Sequence, residues 1–291
     1  TCPVSAFEIS VDKYLSRLLQ GDGGETARVN DSAELINLMT SQRTTERAFI
    51  PRYPMIVKPT KGWSSECVAK VKNEEEMFHA VEKACGRHGG SAVIEKYIEG
   101  PEIDVNFILC HGEILFVEVV DELPSKGDAK NAAIHDNFSE TGLMFPSILP
   151  DEEQRNAITT LRNMLVKLGF VTGSFHVEAR IEDSSLEYRN VGELLDLAPV
   201  RNKTGAQPRC RLIEINARPA GFRVTLATKN TYGVDFYAAQ ILAAVGDLDR
   251  LKTLSQPFQT TVVTNGAQYW SRVVYISTPR SGIVKQDDAC K

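Results

Sequence analysis

Residues 211–221 have the sequence RLIEINARPAG, which is typical of a β-strand. Because successive side chains of a strand alternate between its two faces, the pattern predicts one apolar and one polar face. The apolar face carries Ile213, Ile215 and Ala217, and the polar face carries Glu214, Asn216 and Arg218. One interpretation is a half-exposed strand with a solvated face. The other is an oxygen-ligand site for a hard cation, with an anion-binding arginine beside it.

A second strand, GSFHVEARI at residues 173–181, alternates in the same way and places Glu178 on its polar face. If the two strands are neighbours, Glu178, Glu214 and Asn216 converge. Two carboxylates and an amide oxygen favour Mg²⁺ or Mn²⁺ over zinc. We interpret His176 as a packed or substrate-facing neighbour, because magnesium prefers oxygen ligands.

A phosphate-binding loop is the next expectation, since magnesium held by few protein ligands completes its shell with water and phosphate. The Walker P-loop and the GxGxxG fingerprint are both absent from the sequence. The stretch VKPTKGWSSE, residues 57–66, offers Lys58, backbone amides and the hydroxyls of Ser64 and Ser65 as a phosphate clamp. An ordinary hairpin loop fits this stretch about as well.

A nucleotide-binding hinge is suggested by EKYIEGPEIDVN, residues 95–106. The end of an extended strand leaves N–H and C=O groups for the edge of adenine, and Glu102 is placed to bind ribose hydroxyls. The alternative interpretation is that Glu95 and Lys96 are simply solvated.

Composition excludes several classes of partner. The chain of 291 residues has 33 basic and 38 acidic side chains, and no basic run is interleaved with aromatic residues. Nucleic acid and anionic membrane are therefore not expected partners. No apolar run approaches the ~20 residues that span a bilayer, and the first residues do not resemble a signal peptide. We expect a cytoplasmic protein whose six dispersed cysteines are reduced thiols.

The order of helical and strand patterns predicts an α+β fold with a mostly antiparallel sheet. Helices are expected at 8–20, 31–41, 73–85, 151–168 and 235–245. Strands are expected at 55–58, 67–71, 92–97, 173–181 and 211–221, with a hairpin at 102–120. The polar stretch 121–141 is too long for a simple turn, and we expect it to be functional.

Taken together, these motifs resemble the ATP-grasp superfamily in both identity and order. The matching residues are Asp12–Lys13, Lys58–Pro59, Gly62 with Ser64 and Ser65, Glu95–Ile98, Glu102, Glu178, Glu214 and Asn216. The resemblance extends from about Val11 to Val245. It implies an α+β ATP-grasp fold, in which a small α+β lid subdomain and a larger antiparallel-sheet subdomain hold the nucleotide between them.

The resemblance also assigns nucleotide contacts. Lys13 and Lys58 are expected to contact the phosphates of ATP, and Ser64 and Ser65 to close over them. Adenine is expected against the main chain of Glu95, Lys96, Tyr97 and Ile98, and ribose against Glu102.

The expected magnesium ligands are Glu178, Glu214 and Asn216, with manganese as an alternative ion. Arg218 is expected to stabilise the transferring phosphoryl group, and Arg223 to hold a substrate carboxylate.

The domain organisation implied by the resemblance has three parts. Residues 1–50 are expected to be a helical lead-in, 51–98 the lid subdomain, and 99–291 the C-terminal subdomain with the metal strands. Such enzymes have an N-terminal domain before the lysine of the first helix, so we expect the chain to be a piece of a longer protein. Homo-oligomerisation is left open.

Within the superfamily, the stretches 138–153, 169–181 and 213–223 look most like amino-acid ligases and carnosine-synthase-like enzymes. This implies an ATP-dependent carboxylate–amine ligase that forms an acyl phosphate, with amino acids as substrates. One alternative is a non-catalytic ATP-binding regulatory protein on the same fold. The other is a ligase or carboxylase component of nucleotide or central metabolism.

Two departures from the superfamily pattern stand out. Cys67 occupies a position after the serine pair where relatives usually have glycine. The segment 184–209 replaces what is often a short turn between the metal strands.

Overall fold

The computed structural model contains two antiparallel sheets of four and six strands and a two-stranded hairpin sheet. It describes residues 2–21, 26–41, 49–87, 90–201, 205–259 and 266–276. The helices are α1 (Val4–Val11), α2 (Lys13–Leu18), α3 (Ser32–Ser41), α4 (Glu74–Cys85), α5 (Asp151–Leu168), α6 (Phe222–Tyr232), α7 (Phe236–Val245) and α8 (Leu248–Leu254). The first strands are β1 (Thr26–Val29), β2 (Met55–Pro59), β3 (Ala69–Val71), β4 (Ala92–Lys96), β5 (Glu102–Cys110) and β6 (Glu113–Glu122). They are followed by β7 (Gly142–Phe145), β8 (Gly173–Glu182), β9 (Leu186–Val191), β10 (Leu194–Pro199), β11 (Arg209–Asn216) and β12 (Ser271–Val274).

The smaller sheet has the strand order β1-β4-β2-β3. Helix α4 packs against it and begins as the sequence predicts: the Asn73 side chain accepts a hydrogen bond from the Glu76 N–H at 2.9 Å. Met77 and Val81 are fully buried against Val57 of β2. This sheet and its helices form a core of their own, separate from that of the larger sheet.

The larger sheet has the strand order β11-β8-β5-β6-β7-β12. Its odd-numbered residues in β5 and β8, such as Phe107 and Val177, are buried against Leu161 and Leu165 of α5. The even-numbered residues are therefore turned to the opposite face, which carries the polar groups. Helix α5 stops at Gly169, whose φ of 93° lies in the left-handed region that glycine adopts readily.

The structure corrects the predicted lead-in at residues 1–50. The helix predicted at 8–20 is interrupted at Asp12, which is extended and caps α2 by accepting hydrogen bonds from the Tyr14 and Leu15 N–H groups. Strand β1 lies within this range and pairs with β4. The sequence analysis missed β1 because four residues are too short to show a period.

The segment 184–209 is not a featureless loop. It contains β9 and β10, which form a two-stranded hairpin sheet outside the two larger sheets. Its strands are half-exposed and carry many polar residues, so their alternation was not recognised. Helix α6, directly after Gly221, was also missed.

Within the described ranges, no helix combines the length and apolar character needed to span a membrane. Five cysteines in those ranges are free thiols: Cys2, Cys67, Cys85, Cys110 and Cys210. Cys290 lies outside the described residues.

Candidate active site

A cleft of about 420 Å³ lies between the two sheets. Every site residue predicted from the sequence lines it, with the exception of Arg223. Strands of the smaller sheet supply one wall, and the polar face of the larger sheet supplies the floor. The structure therefore brings together predicted site residues that are as far apart in the sequence as Lys13 and Arg218.

One end of the cleft is built by Lys13 and the glycine–serine loop. The Lys13 ammonium donates to the Gly62 carbonyl at 3.0 Å and lies 3.1 Å from a Glu214 carboxylate oxygen. Ser64 and Ser65 have φ values of 54° and 52°, a left-handed backbone that presents successive N–H groups in a concave loop. Cys67 has a φ of 58°, a conformation that favours the glycine expected there.

Lys58 is held by a buried ionic group. Its ammonium lies 2.7 Å from one carboxylate oxygen of Glu95, and the Arg17 guanidinium lies 2.8 Å from the other. Burial alone would raise the pKa of Glu95, but Arg17 and Lys58 bring it down to about 2. The Glu95 side chain is thus an internal counter-ion that positions Lys58. The sequence analysis missed Arg17, although its spacing of four residues from Lys13 on a helix was a usable signal.

The hinge after β4 presents main-chain groups to the cleft. The Tyr97 N–H donates to the Pro54 carbonyl at 3.3 Å, and the Ile98 carbonyl accepts a hydrogen bond from Arg180 at 3.1 Å. Across the described ranges, the Ile98 N–H has no hydrogen-bond partner. It is therefore a free donor for a planar ligand edge. The Lys96 side chain forms an ion pair with Glu182 at 2.7 Å and is not part of this main-chain edge.

Glu102 is bound to Arg180, which the sequence analysis did not assign. Both the Nε and an Nη of Arg180 donate to one Glu102 oxygen, at 2.8 and 2.6 Å. The same guanidinium reaches Asp128, in the stretch 121–141, at 2.5 Å. Tyr97 donates its hydroxyl hydrogen to Asp128 at 2.9 Å, and burial raises the pKa of Tyr97 to about 12. The stretch 121–141 therefore fastens the hinge to the larger sheet.

The two strands that carry Glu178, Glu214 and Asn216 are neighbours, which meets the condition set for these side chains to converge. Strands β8 and β11 pair antiparallel, and Glu178 lies directly opposite Glu214. The Asn216 amide donates to Glu178 at 3.3 Å. One detail is wrong: a bulge at Ile213 places both Leu212 and Ile215 in the core, so that Ile213 joins Glu214 on the cleft side.

The donor set fits a hard divalent cation. Two carboxylates directly opposite each other on paired strands repel, and Lys13, 3.1 Å from Glu214, offsets part of this charge. Burial and the Glu178 charge raise the pKa of Glu214, whereas His176, 3.5 Å away, holds the pKa of Glu178 below its ordinary value despite burial. Among the described residues, no three His, Cys, Asp or Glu side chains are arranged to hold an ion. The candidate ligands are accordingly two carboxylates and the amide oxygen of Asn216.

Of the two predicted arginines, Arg218 lines the cleft and Arg223 does not. Strand β11 ends at Asn216, and the Arg218 N–H donates back to the Asn216 carbonyl at 2.8 Å, so Arg218 occupies a tight turn and not a strand position. Its exposed guanidinium lines the cleft and donates to the Pro219 carbonyl at 2.9 Å. Arg223 is in the first turn of α6, outside the lining residues, and lies 5.9 Å from the ring of Tyr275.

Buried carboxyls should make stability depend on pH. Burial raises the pKa of Glu118 to about 7, against hydrogen bonds from Thr228 and Asn106. Between about pH 4 and 7 the folded state therefore holds a proton that the unfolded state has lost, and stability falls as pH rises through this window. The melting temperature of the native protein is expected to fall between pH 4 and 7. In Glu118→Gln this fall should be smaller by roughly 5 °C.

The control is Glu113→Gln, which changes a side chain that is 82% exposed at the start of the same strand. If calorimetry gives the same change of melting temperature with pH for Glu118→Gln and the native protein, Glu118 does not titrate in this window.

Residues 51–191 match the profile of the ATP-grasp domain family. The ATP-grasp enzyme fsqD of Aspergillus fumigatus is 35% identical over all of this chain and half of its own length. Human carnosine synthase 1 is 27% identical over 54% of this chain and 15% of its own length. The L-amino acid ligase of Bacillus licheniformis superposes on 89% of this chain and half of its own, with a TM-score of 0.59 and 20% identity. The chain spans half of the fungal relative and less of carnosine synthase.

Proposed function

Because this chain belongs to the ATP-grasp superfamily, we propose that it is the nucleotide-binding part of an ATP-dependent carboxylate–amine ligase. The observation that carries the proposal is the meeting of three groups in one cleft. These are the lysines and the glycine–serine loop at one end, the paired glutamates on the floor, and the free main-chain edge at Ile98.

The proposed reaction has two steps. The substrate carboxylate attacks the γ-phosphorus of ATP, forming an acyl phosphate and releasing ADP. The amine then attacks the acyl carbon, forming the amide and releasing phosphate and a proton. An anion must approach a polyanion in the first step, so charge stabilisation and positioning dominate the catalysis.

Each group in the cleft has a role in this reaction. Lys13 and Lys58 neutralise the phosphates, and Glu95 keeps Lys58 in place through its 2.7 Å ion pair. Arg218, which makes no ion pair with an acid of the described part of the chain, offers a planar fork to the transferring phosphoryl group. Glu178, Glu214 and Asn216 would hold magnesium, which supplies charge neutralisation when bound.

We further propose the finer assignments of the nucleotide. Adenine lies against the Ile98 N–H, ribose against Glu102, and the phosphates beneath the loop of Ser64 and Ser65. The lid is proposed to comprise residues 51–98 together with β1, since β1 pairs with β4.

We propose amino acids as the substrates, on the strength of relatives named for carnosine synthesis and amino-acid ligation. Arg223 is proposed to hold a substrate carboxylate from outside the cleft lining. Magnesium is the proposed ion, with manganese as a substitute.

Nucleotide binding is the first test. We expect calorimetry to detect ATP binding that depends on Mg²⁺ and exceeds GTP binding, because the free Ile98 N–H meets a ring nitrogen acceptor of adenine but a ring N–H donor of guanine. Equal affinity for the two nucleotides, or ATP binding unchanged by a chelator, would contradict the assignment. Binding of ATP without ADP release with any amino acid would instead favour the non-catalytic alternative.

A further inference from the structure

Carboxylates crowd the polar face of the larger sheet, which forms the floor of the cleft. Those that line it are Glu102, Asp104, Glu122, Glu178 and Glu214. They oppose one another across the strands: Glu102 pairs with Glu122, Asp104 with Glu178, and Glu178 with Glu214. Because like charges directly opposite each other destabilise a sheet, each of these groups calls for a compensating partner.

Three of the five carboxylates have such a partner within the protein. Glu102 is bound by Arg180 at 2.6 Å, and Glu214 by Lys13 at 3.1 Å. Glu178 accepts a hydrogen bond from Asn216 at 3.3 Å and lies 3.5 Å from His176.

Asp104 and Glu122 have no such partner. They are only 4% and 8% exposed, yet neither side chain makes a hydrogen bond or ion pair with any residue in the described ranges. Arg180 is engaged by Glu102 and Asp128. The charge of His176 favours the ionised form of Asp104, but its ring is hydrogen-bonded to Asn106 at 2.9 Å and lies 3.5 Å from Glu178.

The lack of a partner disfavours the charged forms of Asp104 and Glu122. Burial raises the pKa of Asp104 to about 8, with His176 opposing and Glu178 adding to the shift. Burial and the neighbouring carboxylates also raise the pKa of Glu122 well above its ordinary value. Neither carboxyl has an oxygen that is both fully buried and unpaired, so both remain accessible from the cleft that they line. Largely buried carboxyls without partners in a cleft are typical of binding sites.

We propose that Asp104 and Glu122 bind the ammonium group of the substrate that supplies the carboxylate, which is therefore an amino acid. An ammonium group has a full positive charge and three hydrogen-bond donors, enough to serve both carboxylates at once. This inference rests on the proposed ligase function, because that function places the substrate carboxylate beside the metal strands.

The position of Asp104 agrees with this occupant. Asp104 lies directly opposite Glu178, so the two Cβ atoms are about 5 Å apart. A cation at Asp104 therefore lies next to the site where the carboxylate is activated. The separation between a cation at Asp104 and a carboxylate next to Glu178 is within the length of an α- or β-amino acid. Glu140, exposed on the same cleft wall, is a third acidic side chain near this position.

The test is calorimetry with the chain, Mg²⁺ and a non-hydrolysable ATP analogue. The probes are alanine and β-alanine, each compared with propionate, which lacks the amino group. We expect an amino acid to bind at least about tenfold more tightly than propionate, as for a charge-assisted contact. In Asp104→Asn/Glu122→Gln this preference should disappear while propionate binding is unchanged. The single variants are measured as well, and Glu113→Gln is the control.

Three results would overturn the proposal. One is equal binding of amino acid and propionate to the native protein, and another is a preference that survives in the double variant. The third is an electron paramagnetic resonance titration in which the double variant binds one Mn²⁺ fewer, since these residues would then hold a metal. A binding preference without ADP release would support the ammonium site and contradict the ligase function instead.

Discussion

Glu214→Gln is expected to lower turnover by a factor on the order of 100 or more and to weaken Mn²⁺ binding at least tenfold. Glu214 lies directly opposite Glu178 on paired strands, and in the described part of the chain it forms an ion pair with Lys13 at 3.1 Å. Glutamine keeps the shape but removes the charge that attracts the metal. Turnover is followed by ADP release, and metal binding by electron paramagnetic resonance of Mn²⁺.

The control for this substitution is Glu75→Gln, on the exposed first turn of α4. It makes the same chemical change far from the cleft and should leave both readouts unchanged. Undiminished Mn²⁺ affinity in Glu214→Gln would remove Glu214 from the metal site.

Arg218→Lys is expected to leave ATP affinity and melting temperature nearly unchanged but to lower turnover by a factor on the order of 100. The guanidinium is exposed on the cleft wall and donates to the Pro219 carbonyl at 2.9 Å and to the Asn216 amide oxygen at 3.3 Å. Because no acid of the described chain pairs with it, the fold depends little on this side chain. Lysine keeps the charge but cannot hold two phosphoryl oxygens in one plane.

Arg155→Lys is the matched control for Arg218, because Arg155 is also exposed and its Nε donates to a main-chain carbonyl, that of Asp151, at 3.0 Å. Calorimetry, thermal melting and ADP release are measured on the same preparation. A variant of Arg218 that melts earlier but keeps its activity would assign the arginine a structural role.

Local patterns predicted several features of the fold, including one strand of the site. The Asn73 cap, the glycine after α5 and the alternation in β8 are each set by a few consecutive residues, and all three are confirmed. The resemblance to the ATP-grasp superfamily implied that Lys13, Lys58 and Glu214 would line one site, although more than 150 residues separate Lys58 from Glu214.

What the sequence did not predict depends on contacts between distant segments. The bulge at Ile213 arises from the pairing of β11 with β8, and it reverses the side on which one isoleucine lies. The partners of Glu95 lie 37 and 78 residues away, so its role as a counter-ion depended on the packing of β2, β4 and α2. Asp104 lies two residues after Glu102 on the same strand face, a spacing that pointed to the cleft but not to its lack of a partner.

The central claim, that a carboxylate is activated by phosphorylation, is tested most directly by following its oxygen. An amino acid that stimulates ADP release is prepared with ¹⁸O in its carboxylate and turned over with ATP, Mg²⁺ and an amine. We predict one ¹⁸O atom in each inorganic phosphate released, detected by its shift in the ³¹P spectrum, because the acyl phosphate retains that oxygen when the amine displaces it. Unlabelled phosphate, or ¹⁸O in AMP accompanied by pyrophosphate, would contradict the account.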